Sequence, residues 1–174
     1  MKFGIFDHVD DSGLPLPEHF AARLQMVEAY EAAGFDGYHV AEHHGTPLGH
    51  APSPGVYLAA VSQRTSRLRF GPLVFLLPLY HPLRLIEEIG MLDALSGGRL
   101  EFGCGRGISP IEMGFYGIDM TEQQARSDEA LEVVMKGLTS ERLTHVGQFF
   151  RFDDVPMMQP VTQKPHPPLW YGTN

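Results

Sequence analysis

The sequence predicts a parallel α/β fold of the (β/α)8, or TIM-barrel, type, of which the chain holds only the first four to five β/α units. Strand-like segments alternate with helical ones four times, which is typical of parallel strands joined by right-handed crossovers. The third strand-like segment is continuously apolar, as expected of a strand covered on both faces. The first is followed by DHVDDSGLPLP, which lacks the glycine fingerprint of the alternative architecture, an open doubly wound sheet.

Five short segments have the composition of β-strands, and the third is the longest apolar run among them. They span residues 2–6, 36–44, 68–77, 99–103 and 167–172. A sixth segment, residues 142–152, is typical of a small hairpin.

The first two helices follow the first two strands. Pro17 suits a first helical turn, and Gly34 ends the first helix. The apolar positions of this helix recur at helical spacing, at Phe20, Leu24 and Val27. The second helix is predicted over residues 56–65.

The third and fourth helices also show helical periodicity. The third has an apolar stripe that is closed by Gly97 and Gly98. Thr121 and Gln124 resemble a capping box at the start of the fourth helix. The two apolar stripes consist of Leu85, Ile89, Leu92 and Leu95, and of Leu131, Val134, Met135 and Leu138.

Composition predicts a soluble cytoplasmic protein with a single domain over residues 1–174. The chain is 43% hydrophobic, with 13 basic and 21 acidic residues and a net charge of -8, so no general attraction to nucleic acid or to an anionic membrane is expected. The one cysteine cannot form an intrachain disulfide. The N-terminal apolar run is too short for a signal peptide, and no segment has the length of a membrane span.

Titratable side chains follow the predicted strands at the point where each strand ends. In parallel α/β folds the site lies at the carboxyl ends of the strands, so we expect these residues to meet at one rim. They are Asp7 and His8, then Glu42, His43 and His44, then Tyr80 and His81, and finally Cys104 and Arg106.

The AEHH segment, which ends at His44, has three interpretations. Consecutive strand residues point to opposite faces, so His43 and His44 cannot easily bind one metal ion together. Both histidines could instead form structural hydrogen bonds at a loop start. In the third interpretation one of them faces the barrel mouth as a proton carrier.

The GCGRG turn at residues 103–107 could hold an anion. Glycines let the backbone approach a ligand, and Arg106 suits a phosphate, although an ordinary turn with a surface arginine fits equally. His81 precedes Pro82 and is better explained as the start of a helix than as a catalytic group. Cys104 has no evident partner and is better explained as a small buried residue than as a nucleophile.

These motifs together resemble the bacterial luciferase-like flavin-dependent monooxygenases and oxidoreductases. The matching segments occur in the family's order along the whole chain. They are MKFGIF, AGFDGYHVAEHH, LRFGPLVFLLPLYHPLRLIEEIGMLDALSGGRLEFGCGRG, IDM and PPLWYG. The resemblance implies a (β/α)8 barrel that binds reduced FMN, or in some branches a deazaflavin, across the strand ends.

The resemblance also implies an enzyme with defined partners. It would be a monooxygenase that uses reduced FMN and O2 on a small organic substrate, with a separate flavin reductase supplying the reduced flavin. A homo-oligomer, most simply a dimer, is expected, with no nucleic acid, membrane or metal partner.

The resemblance assigns roles to individual residues. The catalytic histidine is His43, and Leu73 and Val74 would form the flavin bed, often through a non-prolyl cis peptide. The full set of expected cofactor-binding residues is Glu42, Leu73, Val74, Gly105, Arg106, Arg126, Thr173 and Asn174. Luciferase has a reactive cysteine where this chain has Gly105, so that chemistry does not transfer to Cys104.

The length of the chain departs from the family, whose members are roughly twice as long, as a full barrel requires. We therefore expect either the N-terminal half of a longer protein or two copies that pair their open edges. Two alternatives to the enzyme remain at this stage. One is a non-catalytic flavin-binding or purely structural half barrel, and the other is a metal hydrolase built on the EHH motif and His81.

Overall fold

The computed structural model describes residues 1–172, which fold as parallel strands alternating with helices. The eight strands are β1 (Gly4–Asp7), β2 (Gly37–Val40), β3 (Arg69–Pro72), β4 (Phe75–Leu76), β5 (Phe102–Gly105), β6 (Arg142–Val146), β7 (Arg151–Pro156) and β8 (Leu169–Tyr171). The five α-helices are α1 (Leu16–Ala32), α2 (Pro54–Arg64), α3 (Pro82–Leu95), α4 (Pro110–Phe115) and α5 (Gln123–Thr139).

Parallel pairing confirms the predicted α/β fold. One sheet has the order β1-β2-β3 and a second has the order β4-β5-β8, and all four pairs within them are parallel. A single parallel bridge between Phe70 and Leu100 links the two sheets. The predicted hairpin is also present, as the antiparallel pair of β6 and β7, and β7 extends it to Pro156.

The predicted third strand, residues 68–77, is divided in two. β3 and β4 flank Leu73 and Val74, and the peptide bond between these two residues is cis, at the position that the family resemblance predicted. A 3-10 turn, Leu77–Leu79, follows β4. The Leu73 N–H donates to Val40 O at 2.7 Å, so the backbone turns out of the ladder directly after this bond.

Four other strands have boundaries that were predicted wrongly. The last of them, predicted at residues 167–172, is β8 at Leu169–Tyr171. β1 lies at residues 4–7 rather than 2–6. β2 ends at Val40 rather than at residue 44, because the ladder with β1 closes when Ala41 N–H donates to Asp7 O at 3.0 Å. β5 begins at Phe102 rather than at residue 99, because residues 99–101 pair with β3 only through the isolated bridge of Phe70 with Leu100.

The structure confirms most of the apolar positions that were predicted to be buried in the helices. In α3, Leu85, Ile89 and Leu92 are buried, whereas Leu95 is 50% exposed and does not belong to the core. Gly97 and Gly98 close this helix with positive φ angles, which suit glycine.

The capping box expected at Thr121 is wrong. Its N–H and hydroxyl both donate to Asp119 Oδ1, at 2.8 Å, in a local turn, and Glu122 takes the N-cap position of α5 without a side-chain cap. Helix α4 was not predicted, because six residues are too few to show a periodicity.

The core lies between the parallel strands and the helices. Its large aromatic members, Tyr38, Phe70, Phe75 and Phe102, are fully buried. No helix within residues 1–172 is long and apolar enough to cross a membrane.

A polar network occupies the opposite side of the strands. Glu101 bonds to His39 Nε2 at 2.9 Å and accepts from Arg69 Nε at 2.7 Å. Burial alone would raise the pKa of Glu101, but these hydrogen bonds and the nearby positive charge hold it down to about 2.

Gly71 allows β3 to approach the backbone beside it. A Cβ at this position would lie 2.0 Å from the Glu101 carbonyl oxygen, which is backbone and cannot move aside easily. We therefore expect Gly71→Ala to lower the free energy of unfolding by about 1–3 kcal/mol, the usual range for overpacking, as measured by urea denaturation. Gly114→Ala is the matched control, since nothing lies within 4 Å of a Cβ there. Equal stability of the two variants would contradict this account of the strand contact.

Candidate functional site

A cavity of about 860 Å³, here called the strand-end cavity, opens at the carboxyl ends of the parallel strands. Its wall is formed by the segments that follow β1, β2, β3 and β5, together with the last described residues after β8. Four of the predicted titratable residues line it, namely His8, Glu42, His43 and Arg106. The structure therefore brings the strand ends together as expected of a parallel fold.

Glu42 is buried and hydrogen-bonded at both carboxylate oxygens. Its Oε2 accepts from Leu76 N–H at 3.1 Å and from Tyr80 O–H at 2.9 Å, while Oε1 lies 2.8 Å from His44 Nε2. Burial raises the pKa of Glu42 above its ordinary value, against the effect of these hydrogen bonds. Glu42 thus joins the end of β2 to β4, and its carboxylate is already engaged within the protein.

His43 faces the strand-end cavity and pairs with Glu112 on α4. His43 Nδ1 lies 3.1 Å from Glu112 Oε1, and the same oxygen accepts from the His44 backbone N–H at 3.2 Å. Because that oxygen already acts as an acceptor, Nδ1 is the donor, which leaves Nε2 as the lone-pair nitrogen. The ring stacks on His8 at 5.6 Å with an interplanar angle of 10°.

His44 has a structural role. Its ring nitrogens are both engaged, Nε2 with Glu42 and Nδ1 with the Tyr116 hydroxyl at 2.7 Å. The side chain is 9% exposed, compared with 24% for His43. The two histidines therefore have different surroundings, with His43 at the cavity and His44 in the protein.

The turn after β5 presents Arg106 and a close backbone contact. Within residues 1–172 the Arg106 side chain forms no hydrogen bond or ion pair, whereas its carbonyl accepts from Gln123 Nε2 at 2.8 Å. A Cβ at Gly105 would lie 2.8 Å from Val74 Cγ2, so glycine lets this turn approach the Leu73–Val74 segment. Leu73, Val74, Gly105 and Arg106 all line the strand-end cavity.

Arg126 does not reach this cavity. Its Nε donates to Pro78 O at 3.2 Å, and its guanidinium lies over the rings of Phe149 and Phe150, at 5.6 and 5.1 Å from their centroids. These cation–π contacts place Arg126 between α5 and the hairpin. The other two expected cofactor residues, Thr173 and Asn174, lie outside the described residues.

The remaining sequence candidates lie away from reactive positions. His81 packs edge-on against Phe150 and Phe152, consistent with its interpretation as the start of a helix. Cys104 is fully buried, and burial raises the pKa of its thiol to about 12. Among residues 1–172 no group of three or more His, Cys, Asp or Glu side chains is placed to hold a metal ion.

Glu112 is the residue of this site that sequence reasoning missed. It is 4% exposed, and its backbone N–H is capped by the Ser109 hydroxyl at 3.2 Å. Ser-Pro followed two residues later by Glu is a recognised helix start, so this signal could have located α4. The pairing with His43, 69 positions earlier in the chain, depends on tertiary structure.

Comparison with known proteins gives a consistent result. A family model described as luciferase-like monooxygenase matches residues 1–174. The uncharacterized protein y4wF of Sinorhizobium fredii is 49% identical over 100% of this chain and 51% of its own length. The oxygenase component of flavin-dependent trigonelline monooxygenase from Acinetobacter baylyi is 26% identical over 98% of this chain and 48% of its own length.

A solved structure agrees with these relatives. The crystal structure of the monooxygenase RslO1 from Streptomyces bottropensis superposes with a TM-score of 0.93 and 34% identity, over 98% of this chain and 53% of that one. The chain therefore spans about half the length of the proteins that it matches.

The His43–Glu112 pair predicts a tautomer that can be measured. In the wild type, nitrogen NMR should show the His43 proton on Nδ1, because Glu112 accepts it. Glu112→Ala should shift the population toward the Nε2–H tautomer, whereas Glu122→Ala, at an exposed carboxylate beyond α4, should change nothing. An unchanged His43 spectrum in Glu112→Ala would show that this carboxylate does not set the tautomer.

Proposed function

The chain belongs to the luciferase-like monooxygenase family, and we propose that it carries the flavin side and the catalytic histidine of a flavin-dependent monooxygenase. The enzyme would use reduced FMN and O2 to oxygenate a small organic substrate. One observation carries the proposal: His43, the Leu73–Val74 segment and the Arg106 turn line a single cavity at the strand ends.

The residues at this cavity fit a flavin. The interrupted strand at Leu73–Val74 offers backbone and apolar surface for a planar ring, and Gly105 leaves space where a Cβ would contact Val74. Arg106 has no protein partner within residues 1–172, so its guanidinium is available for a phosphate. Under this proposal Glu42 supports the flavin bed through Leu76 rather than by direct contact.

The side chains of this cavity would have two tasks: one would transfer a proton, and the others would exclude water. Reduced flavin, when bound, would supply the electrons that activate O2. Since Glu112 holds Nδ1–H, His43 Nε2 is the nitrogen able to accept or return a proton at the reacting centre. Leu73, Val74 and Leu76 make the adjoining wall apolar, which keeps water from the reacting atoms.

The partners follow from this chemistry. A separate flavin reductase would supply the reduced flavin, as the description of the trigonelline enzyme as an oxygenase component suggests. FMN is preferred to a deazaflavin because of the overall likeness to luciferase-type members. A homo-oligomer remains part of the proposal, as the resemblance to the family implies.

A second candidate is a flavin-binding half barrel without turnover. It rests on the same strand-end cavity, which could hold a flavin whether or not turnover follows. The two candidates share flavin binding and differ only in turnover, so the two experiments that follow separate them.

Removal of the Arg106 guanidinium tests the flavin assignment. FMN and riboflavin differ by the phosphate, so Arg106→Ala should weaken FMN by about 10-fold or more, as for a lost charged hydrogen bond, and leave riboflavin unchanged. Titrations followed by flavin fluorescence give both constants, with Arg151→Ala, at an exposed arginine of β7, as the matched control. Equal losses for the two ligands would argue against a phosphate contact, and no FMN binding by the wild type would refute flavin binding by this chain.

Removal of the His43 imidazole tests the catalytic assignment. His43→Ala should leave the FMN dissociation constant near the wild-type value and lower turnover with reduced FMN by about 100-fold, the usual contribution of a proton-transfer group. His81→Ala is the matched control, because His81 packs on the hairpin aromatics. Wild-type chain that binds FMN without turnover would support the second candidate.

A further inference from the structure

A chain of hydrogen bonds leads from the protein surface to the buried carboxyl group of Glu42. The Tyr116 hydroxyl lies 2.7 Å from His44 Nδ1, and His44 Nε2 lies 2.8 Å from Glu42 Oε1. Both distances are those of ordinary hydrogen bonds. Glu42 and His44 follow β2, whereas Tyr116 directly follows α4. The side chains of Tyr116, His44 and Glu42 are here called the Glu42 relay.

Solvent exposure falls along the Glu42 relay from one end to the other. Tyr116 is 50% exposed, whereas the side chains of His44 and Glu42 are 9% and 1% exposed. Both carboxylate oxygens of Glu42 are bonded to protein groups, so water has little direct access to them. The partners of Glu42 that carry an exchangeable side-chain proton are His44 and Tyr80, and His44 is the one bonded to an exposed hydroxyl.

The imidazole of His44 is oriented to pass a proton. Because the Tyr116 hydroxyl donates to Nδ1, Nε2 carries the proton that bonds Glu42 Oε1. When Glu42 Oε1 takes this proton, the hydroxyl proton of Tyr116 moves to Nδ1, and a hydronium ion returns a proton to the Tyr116 oxygen. One proton thus passes from solvent to Glu42, only O–H and N–H bonds change, and His44 stays neutral in its other tautomer. The same steps in reverse release the proton.

Burial favours the neutral form of Glu42. It raises the pKa of this carboxyl group above the ordinary value, although the hydrogen bonds that Glu42 accepts act against the rise. The titratable groups that face Glu42 are His44, Tyr80, Tyr116 and Glu88, on α3. Burial also raises the pKa of Glu88, and the charge of Glu42 adds to that rise. A neutral Glu42 therefore relieves repulsion as well as the cost of burial.

From this geometry we propose that Tyr116 and His44 form a proton relay that carries protons between solvent and the carboxyl group of Glu42. Glu42 lines the strand-end cavity, so the relay sets the charge of the cavity wall without opening the protein. A negative charge that enters the cavity would draw a proton onto Glu42. His43 bonds to Glu112 and stands outside this path. The relay is a property of the polypeptide alone, and only its use during turnover rests on the proposed function.

Stopped-flow infrared spectroscopy tests the relay on the 174-residue chain without any flavin. After a drop in pH, protonation of Glu42 produces a carboxylic-acid C=O band, which Glu42→Gln should remove and Glu88→Gln should leave in place. Tyr116→Phe keeps the ring that packs edge-on against His44 at 4.8 Å and loses only the hydroxyl. We expect this variant to reach the same final band at least about 10-fold more slowly, because the proton then depends on local opening of the structure.

Three further variants separate proton transfer from a purely structural effect. His44→Gln retains hydrogen-bonding groups but cannot take up a proton on one nitrogen and release it from another, so it should be as slow as Tyr116→Phe. Tyr80→Phe removes the other hydroxyl bonded to Glu42, so the band should appear at higher pH and still form rapidly. Tyr30→Phe, the same change on α1, should match the wild type in both respects.

Three results would overturn the proposal. Rapid protonation in Tyr116→Phe, equal to that of the wild type, would refute the relay. Slow protonation in Tyr80→Phe alone would place the path at Tyr80 instead. Absence of the acid band at every pH at which the chain is folded would show that Glu42 stays ionised. FMN titration of the same samples separates the two proposals, because loss of FMN binding with rapid protonation refutes only the flavin function.

Discussion

The buried carboxylate of Glu42 is the interaction on which the rest of the site depends. A carboxylate that is 3% exposed is costly unless each of its oxygens is hydrogen-bonded, and here Leu76, Tyr80 and His44 provide those bonds. His44 in turn accepts the Tyr116 hydroxyl at its other ring nitrogen, so the network extends from β4 to the end of α4. His43 lies between Glu42 and His44 in the chain. Its direction toward the strand-end cavity is therefore set by neighbours that cannot move without leaving buried polar groups unsatisfied.

The wall of the strand-end cavity depends on a second constraint, the close approach of the backbones of β3 and β5. Cβ atoms at Gly71 and Gly103 would each lie 2.0 Å from a backbone oxygen of the adjacent strand segment, and one at Gly105 would meet Val74. Glycine at these positions lets the Leu73–Val74 segment approach β5 closely. The surface offered to a ring is consequently backbone and small apolar groups. A fixed backbone loses little conformational freedom on binding, which favours a preformed site.

Local patterns in the sequence predicted the features of this structure that depend on residues close together in the chain. Strand–helix alternation predicted the parallel fold, whereas the choice of His43 over His44 came from the family resemblance. The cis bond at Leu73–Val74 came from the family resemblance and not from any pattern of residues. Contacts between distant segments could not be predicted: Glu112 reaches His43 across 69 positions, and Arg126 turns to the hairpin aromatics. The predicted cap at Thr121 was also wrong. The Thr121 hydroxyl donates a hydrogen bond to Asp119 and does not cap the helix.

The fixed orientation of the His43 ring has a physical consequence for proton transfer. Glu112 holds one ring nitrogen and His8 covers one ring face, so the imidazole has little freedom to rotate. The strand-end cavity places this ring beside the Arg106 turn, the Glu112 carboxylate and the apolar Leu73–Val74 segment. A molecule bound in this cavity would meet the imidazole at a fixed orientation, which is the preorganisation that proton transfer requires.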